Sequence, residues 1–261
     1  MATYNKRGYK LPKEAEVNEV EPIVEEVEIN DADSTTAEVF NTLDATANKA
    51  EDWFVRNQKY IFGFLGAVAL VAVGVVSYQR FVVEPKEDDA AEAMFLAQKN
   101  FQQAMDGVKA DSLYTLAIEG GVEGQLGFKG IIENFKGTEA ANLAAYYAGF
   151  SYLNIGKYKE AIESLEQFKS EEVILKANAL GGIGDAFSQL NQHKEALDYY
   201  EKAAAVDNNE FTTPIYLLKA GKVALTLKNN EKALATFTRI KEEYPMTMEA
   251  QGIDGLIGLA Q

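Results

Sequence analysis

A single histidine, His193, and the absence of cysteine restrict the chemistry open to this 261-residue chain. Without thiolates there is no disulfide framework, no cysteine nucleophile and no sulfur-ligated metal site. His193 falls in a tight turn, where an imidazole is expected to face water, and no Ser/His/Asp arrangement assembles around it. Carboxylates are plentiful, but Glu160, Glu163 and Glu166 follow the spacing of a solvated helix face. General acid/base work needs burial to shift a pKa, and nothing in that pattern supplies it. Gly120, Gly121, Gly124, Gly127 and Gly130 suggest a phosphate loop at first sight. The string lacks a Gly-Lys-Ser/Thr sequence and a preceding strand, so it reads as a loop. No catalytic residue, metal ligand, cofactor or small-molecule substrate is assigned. A net charge of −15 argues against nucleic acid, because phosphate binding needs clustered Lys and Arg.

What remains is a chain of surfaces, and the run at 60–79 (YIFGFLGAVALVAVGVVSYQ) orders them. It holds no charge and no proline between Lys59 and Arg80. At about 1.5 Å per residue it matches the ~30 Å hydrocarbon core of a bilayer. Backbone polar groups in hydrocarbon must pair within the segment, so the run is expected to be one helix. Trp53, Tyr60, Phe62 and Phe64 near one boundary, with Tyr78 and Phe81 near the other, match interfacial aromatics. The run lies too far from Met1 for a cleavable signal and is expected to stay as a single transmembrane anchor. Gly63 and Ala67 stand four apart and form a candidate packing face for a helix partner in the membrane.

Before the anchor, residues 1–33 carry many acids and few large apolar groups, so this tail is expected to be disordered. Residues 34–58 place Val39, Phe40, Leu43, Ala47, Ala50, Trp53 and Phe54 on one stripe of a juxtamembrane amphipathic helix. After the anchor, Pro85 is expected to interrupt helix within a linker at 80–89. Helical periodicity resumes at 90–105, with shorter helices at 112–118 and 126–135.

From Thr138 onward the chain repeats. Gly149, Gly184 and Gly221 occupy equivalent points at intervals of 35 and 37 residues, as do Ala161, Ala196 and Ala233. Leu165, Tyr200 and Phe237 follow four residues after those alanines. Small residues let paired helices approach closely, and the large ones fill the space between pairs. With Tyr152, Gly156, Tyr158, Phe187, Ala203 and Pro245, this pattern resembles tetratricopeptide repeats. It departs from them at Phe168, at Asn208 and at the Asn229-Asn230 turn. The resemblance implies a helical solenoid, and with the apolar run the expected fold is all-α: a single N-terminal transmembrane helix followed by a tetratricopeptide-like solenoid over 90–261. Its units fall at 142–174, 177–210 and 214–245, with a capping helix at 247–259.

In such stacks the first helix of each pair lines a concave face, which yields a candidate partner-binding groove. Its residues are Tyr146, Phe150 and Leu153, then Asp185 and Gln189, then Leu218 and Lys222, with Leu143, Asn178, Ser188, Ile215 and Leu225 beside them. Tyr146 and Phe150 stand where repeats that clamp chaperone C-terminal carboxylates carry Lys and Asn, so that partner class is not expected. Lys49, Arg56 and Lys59 precede the anchor, against Arg80 and Lys86 after it. The excess places the N-terminus in the cytoplasm and the repeats in the periplasm. An N-terminal anchor followed by periplasmic repeats resembles the YfgM-like ancillary subunits of the Sec translocon. That resemblance covers roughly Gln58 onward and includes Gly137-Thr138 before Ala140-Ala141-Asn142-Leu143-Ala144. It implies a place beside the SecY channel, assisting exported chains or recruiting periplasmic chaperones. Two other readings fit the same residues. One is a scaffold subunit of another envelope secretion or motility machine; the other is a weak holdase acting through Tyr146, Phe150 and Leu218.

Overall fold

The computed structural model describes residues 35–107, 110–121 and 124–261. The tail expected over residues 1–33 lies outside the described residues. The chain divides into two units, Met1–Ala69 and Leu70–Gln261. The described residues are all-α, with no strand beyond an isolated bridge between Gly120 and Leu126.

Helix α1 (Thr35–Tyr78) runs for 44 residues without a break. The juxtamembrane and membrane segments expected separately are therefore parts of one helix, since no proline stands between them. Among the described residues one helix is long and apolar enough to cross a membrane; its most apolar stretch has mean hydropathy 2.3 and none of it is buried. Val39, Leu43, Trp53 and Phe54 of the amphipathic stripe are also exposed.

The linker expected at 80–89 is helical instead. Residues Gln79–Val83 form a π-helical turn, closed by the Glu84 N–H donating to the Gln79 carbonyl, and α2 (Glu84–Met105) follows directly. Pro85 is the second residue of α2, directly after that π-helical turn.

Helix α2 packs on α3 (Ala110–Glu119), α4 (Phe128–Asn134) and α5 (Glu139–Asn154). Ala90, Met94 and Ala97 of α2 share a core with Phe128, Ile131, Ala140, Ala144 and Ala148. Phe101 lies edge-on to Tyr114 at 5.6 Å and Tyr147 at 5.1 Å, while Phe128 stacks on Tyr147 at 5.6 Å. The glycine string forms a bridged turn: Gly120 has φ +90, and a Cβ there would meet the Gln125 carbonyl oxygen at 2.2 Å. Only glycine fits that close approach.

The first turn of α2 also clamps the first repeat. The Glu87 carboxylate accepts from Glu139 N–H at 2.9 Å and Ala140 N–H at 2.8 Å, and Lys86 donates to the Lys136 carbonyl at 2.7 Å. Thr138 Oγ1 accepts from Ala141 N–H at 3.0 Å. Three first-turn N–H groups of α5 are thus satisfied, two of them by a residue 52 and 53 positions away. Glu87→Ala is expected to lower stability by about 1–2 kcal/mol. Thermal melting of the full chain checks this; an unchanged melting temperature would remove the clamp.

Three helix pairs follow: α5 with α6 (Tyr158–Gln167), α7 (Val173–Gln189) with α8 (His193–Ala204), and α9 (Thr213–Thr226) with α10 (Asn230–Glu243). A 3-10 turn, Met248–Ala250, and α11 (Ile253–Ala260) close the stack. The left-handed residue of each tight turn recurs at Gly156, Asn191 and Lys228. Within each pair the large residue of the second helix lies on the glycine of the first. A Cβ at Gly149, Gly184 or Gly221 would come within 2.4, 2.7 or 2.3 Å of Leu165, Tyr200 or Phe237. Ala161, Ala196 and Ala233 are fully buried.

Candidate functional site

The predicted groove residues divide into those that pack inside the stack and those that face solvent. Tyr146 is half-buried, its ring 4.8 Å from Phe150 and 5.0 Å from Phe168. Phe150 closes over α7 at Gly182, where a Cβ would lie 3.1 Å from its ring. Leu153 joins the same apolar cluster with Leu165, Ala179 and Ile183. These three side chains therefore seal the first repeat onto the second.

Asp185 is the centre of a polar junction between the second and third repeats. Its carboxylate accepts from the Tyr200 hydroxyl at 2.7 Å and from Lys219 Nζ at 2.7 Å on both oxygens. The Lys219 ammonium also lies 5.7 Å from the ring centroids of Tyr200 and Tyr216. The Tyr216 hydroxyl donates to Asn178 at 2.8 Å, and the Tyr216 ring fills the space over Gly181, where a Cβ would sit 1.9 Å from it. Burial first, then the Asp185 charge, push the Tyr200 and Tyr216 phenols well above their ordinary pKa, so both remain neutral donors.

Truncating Asp185 would strand the Lys219 ammonium and the Tyr200 hydroxyl. Asp185→Ala is expected to cost about 1–2 kcal/mol, a modest figure because the Lys219 and Asp185 side chains are 38% and 35% exposed. Chemical denaturation checks it, and a change below a few tenths of a kcal/mol would contradict it. Raised folded-state phenol pKa values add stability that is fully present below about pH 10 and is lost as pH rises above it.

Gln189 is exposed and accepts from the Tyr158 hydroxyl at 3.5 Å. Leu218 is half-buried against the third-repeat core, and Lys222 is exposed with no ion pair among the described residues. Leu143 opens instead into a cleft of about 1140 Å³, whose walls include Ala91, Met94 and Gln98 of α2 and Leu175 of α7. The α2 wall was not part of the groove expected from sequence. Its helical stripe was visible there, but a stripe does not say which neighbour it meets. Gly63 and Ala67 stand exposed on α1, and nothing lies within 4 Å of a Cβ placed at Gly63.

His193 begins α8 half-buried, and its Nδ1 is shielded from water without a hydrogen-bond partner. The turn histidine is thus less open to solvent than its position suggested. No group of three or more His, Asp or Glu among the described residues is placed to hold a metal ion.

Comparison with known families detects tetratricopeptide repeats over residues 143–172, 177–210 and 216–245. These three stretches coincide with the three helix pairs. No curated protein and no solved structure matches the chain significantly.

Proposed function

We propose that this chain, with three tetratricopeptide repeats that imply protein–protein docking, is a non-enzymatic adaptor anchored in the cytoplasmic membrane by α1. The observation that carries the reading is the combination in one chain of a membrane-length apolar helix and a solenoid of docking repeats. Lys49, Arg56 and Lys59 before the apolar run, against Arg80 and Lys86 after it, favour a cytoplasmic N-terminus and periplasmic repeats. Anchor-then-repeat order resembles that of YfgM-like subunits, which supports a place beside the Sec translocon, assisting exported proteins or recruiting periplasmic chaperones.

Within this reading the docking groove is the solvent-facing part of the concave surface: Leu143 with the α2 wall at one end, Gln189, Leu218 and Lys222 at the other. Phe150 and Tyr146, packed between repeats, are less available to unfolded clients than a holdase would require. Affinity purification of the full chain from membranes in mild detergent tests the assignment. The SecY channel is expected to co-elute. Recovery of subunits of a different secretion or motility machine, without SecY, would overturn the translocon assignment and favour a scaffold.

A further inference from the structure

The turn joining the second repeat to the third is braced from both sides. Asn209 Oδ1 accepts from Phe211 N–H at 2.9 Å and Thr212 N–H at 2.8 Å. Thr213 Oγ1 accepts from Asn209 N–H at 3.1 Å and donates to the Asp207 carbonyl at 2.7 Å. Asn208 Oδ1 accepts from Arg239 at 3.3 Å and from the Tyr244 hydroxyl, tying the turn to α10. Thr212, Thr213 and Pro214 are buried beneath it. On top stands Phe211, 74% exposed. A loose loop would let that ring fold onto the surface. A braced turn holds it out, with its ordering cost already met, as interface anchors require.

Phe211 has counterparts. Ile174 lies 37 residues before it and Met248 lies 37 residues after it, the interval that separates Gly184 from Gly221. Ile174 is 44% exposed and Met248 79%. The Tyr216 hydroxyl of α9 reaches Asn178, in the second turn of α7, and the Met248–Ala250 turn packs on α9. Equivalent register thus puts a large exposed apolar residue at the head of successive repeats, and in a stack of like units equivalent positions follow one edge.

The rim of this edge is acidic. Glu172, Asp207, Glu210 and Glu249 have no ion-pair partner among the described residues. The nearby cations Lys176 and Arg239 are matched by Glu171 at 3.8 Å and Glu243 at 2.9 Å. We infer that the edge formed by Ile174, Phe211 and Met248 receives a basic amphipathic segment of a partner protein, apolar residues on the ridge and Lys or Arg against the rim. A second copy would bring the same acidic rim and a net charge of −15, and an anionic lipid surface would be repelled likewise. The inference rests on the adaptor reading only in taking a protein segment as ligand. Its residues are distinct from the concave Leu143, Leu218 and Lys222.

The test uses the full chain in phosphatidylcholine nanodiscs and a fluorescent synthetic peptide with leucine on one helical face and lysine on the other. Binding to empty nanodiscs is subtracted, and a leucine/glutamate peptide serves as the charge-reversed probe. Phe211→Asp is expected to weaken binding of the leucine/lysine peptide by about tenfold or more while leaving the melting temperature unchanged. Phe95→Asp, at a 67% exposed ring on α2, is expected to leave binding unchanged. The leucine/glutamate peptide is expected to bind about tenfold more weakly than the leucine/lysine peptide. Equal losses from Phe211→Asp and Phe95→Asp, no loss from Phe211→Asp, or equal binding of both peptides would each overturn the inference. Loss of SecY co-purification with peptide binding intact would remove the translocon assignment and leave this edge standing.

Discussion

Phe237→Ala is expected to lower the stability of the repeat stack by about 3–5 kcal/mol. Phe237 is fully buried and its ring lies directly on Gly221, so truncation opens a cavity between α9 and α10 that neither helix backbone can fill. Gly221→Ala attacks the same contact from the other side. Its methyl group would meet the Phe237 ring at 2.3 Å, and the strain of displacing a packed ring is expected to cost about 1–3 kcal/mol. The double variant should cost less than the sum of the two, because the added methyl occupies part of the space the ring vacates. Denaturant unfolding of all three variants checks this. A loss below about 1 kcal/mol for Phe237→Ala would mean that the third repeat is not held by this contact.

Placing arginine at both Leu70 and Val71 is expected to abolish membrane retention. Both side chains are exposed near the middle of the apolar run, where each arginine adds about 2.5–3.5 kcal/mol to the cost of insertion. Leu70→Ala with Val71→Ala, which keeps the run apolar, should stay with the membrane. The check is fractionation after alkaline carbonate extraction. Retention of the double-arginine variant in the membrane pellet would remove α1 as the anchor.

The repeats were legible because their defining contacts are local. Gly149, Gly184 and Gly221 must be small for a neighbour only 16 residues further on, and that constraint recurs at a fixed interval. The groove was less legible because it depends on partners in the next repeat. Repeat register assigns Phe150 to the concave face, whereas its ring packs over Gly182 of the next repeat, and nothing in either position alone announces the pair. Asp185 was recognised as a groove residue, but Lys219, 34 positions on and one turn away from the register of Lys222, is what neutralises it. The same limit applied to Pro85. Proline signals a helix boundary, and it does stand in a first turn, but helix runs on both sides of it, with a π-helical turn before it. Phe211 carries no periodic signal because it lies in a turn, outside any helix.

The proposed orientation, with the repeats outside the cytoplasm, is directly measurable because the chain has no native cysteine. Single substitutions Glu51→Cys, before the apolar run, and Lys194→Cys, on an exposed position of α8, each introduce a unique thiol. Intact spheroplasts are treated with a membrane-impermeant maleimide, with and without permeabilisation. With the proposed orientation, Lys194→Cys is labelled in intact spheroplasts and Glu51→Cys only after permeabilisation. The reverse pattern, or labelling of both in intact spheroplasts, would contradict it.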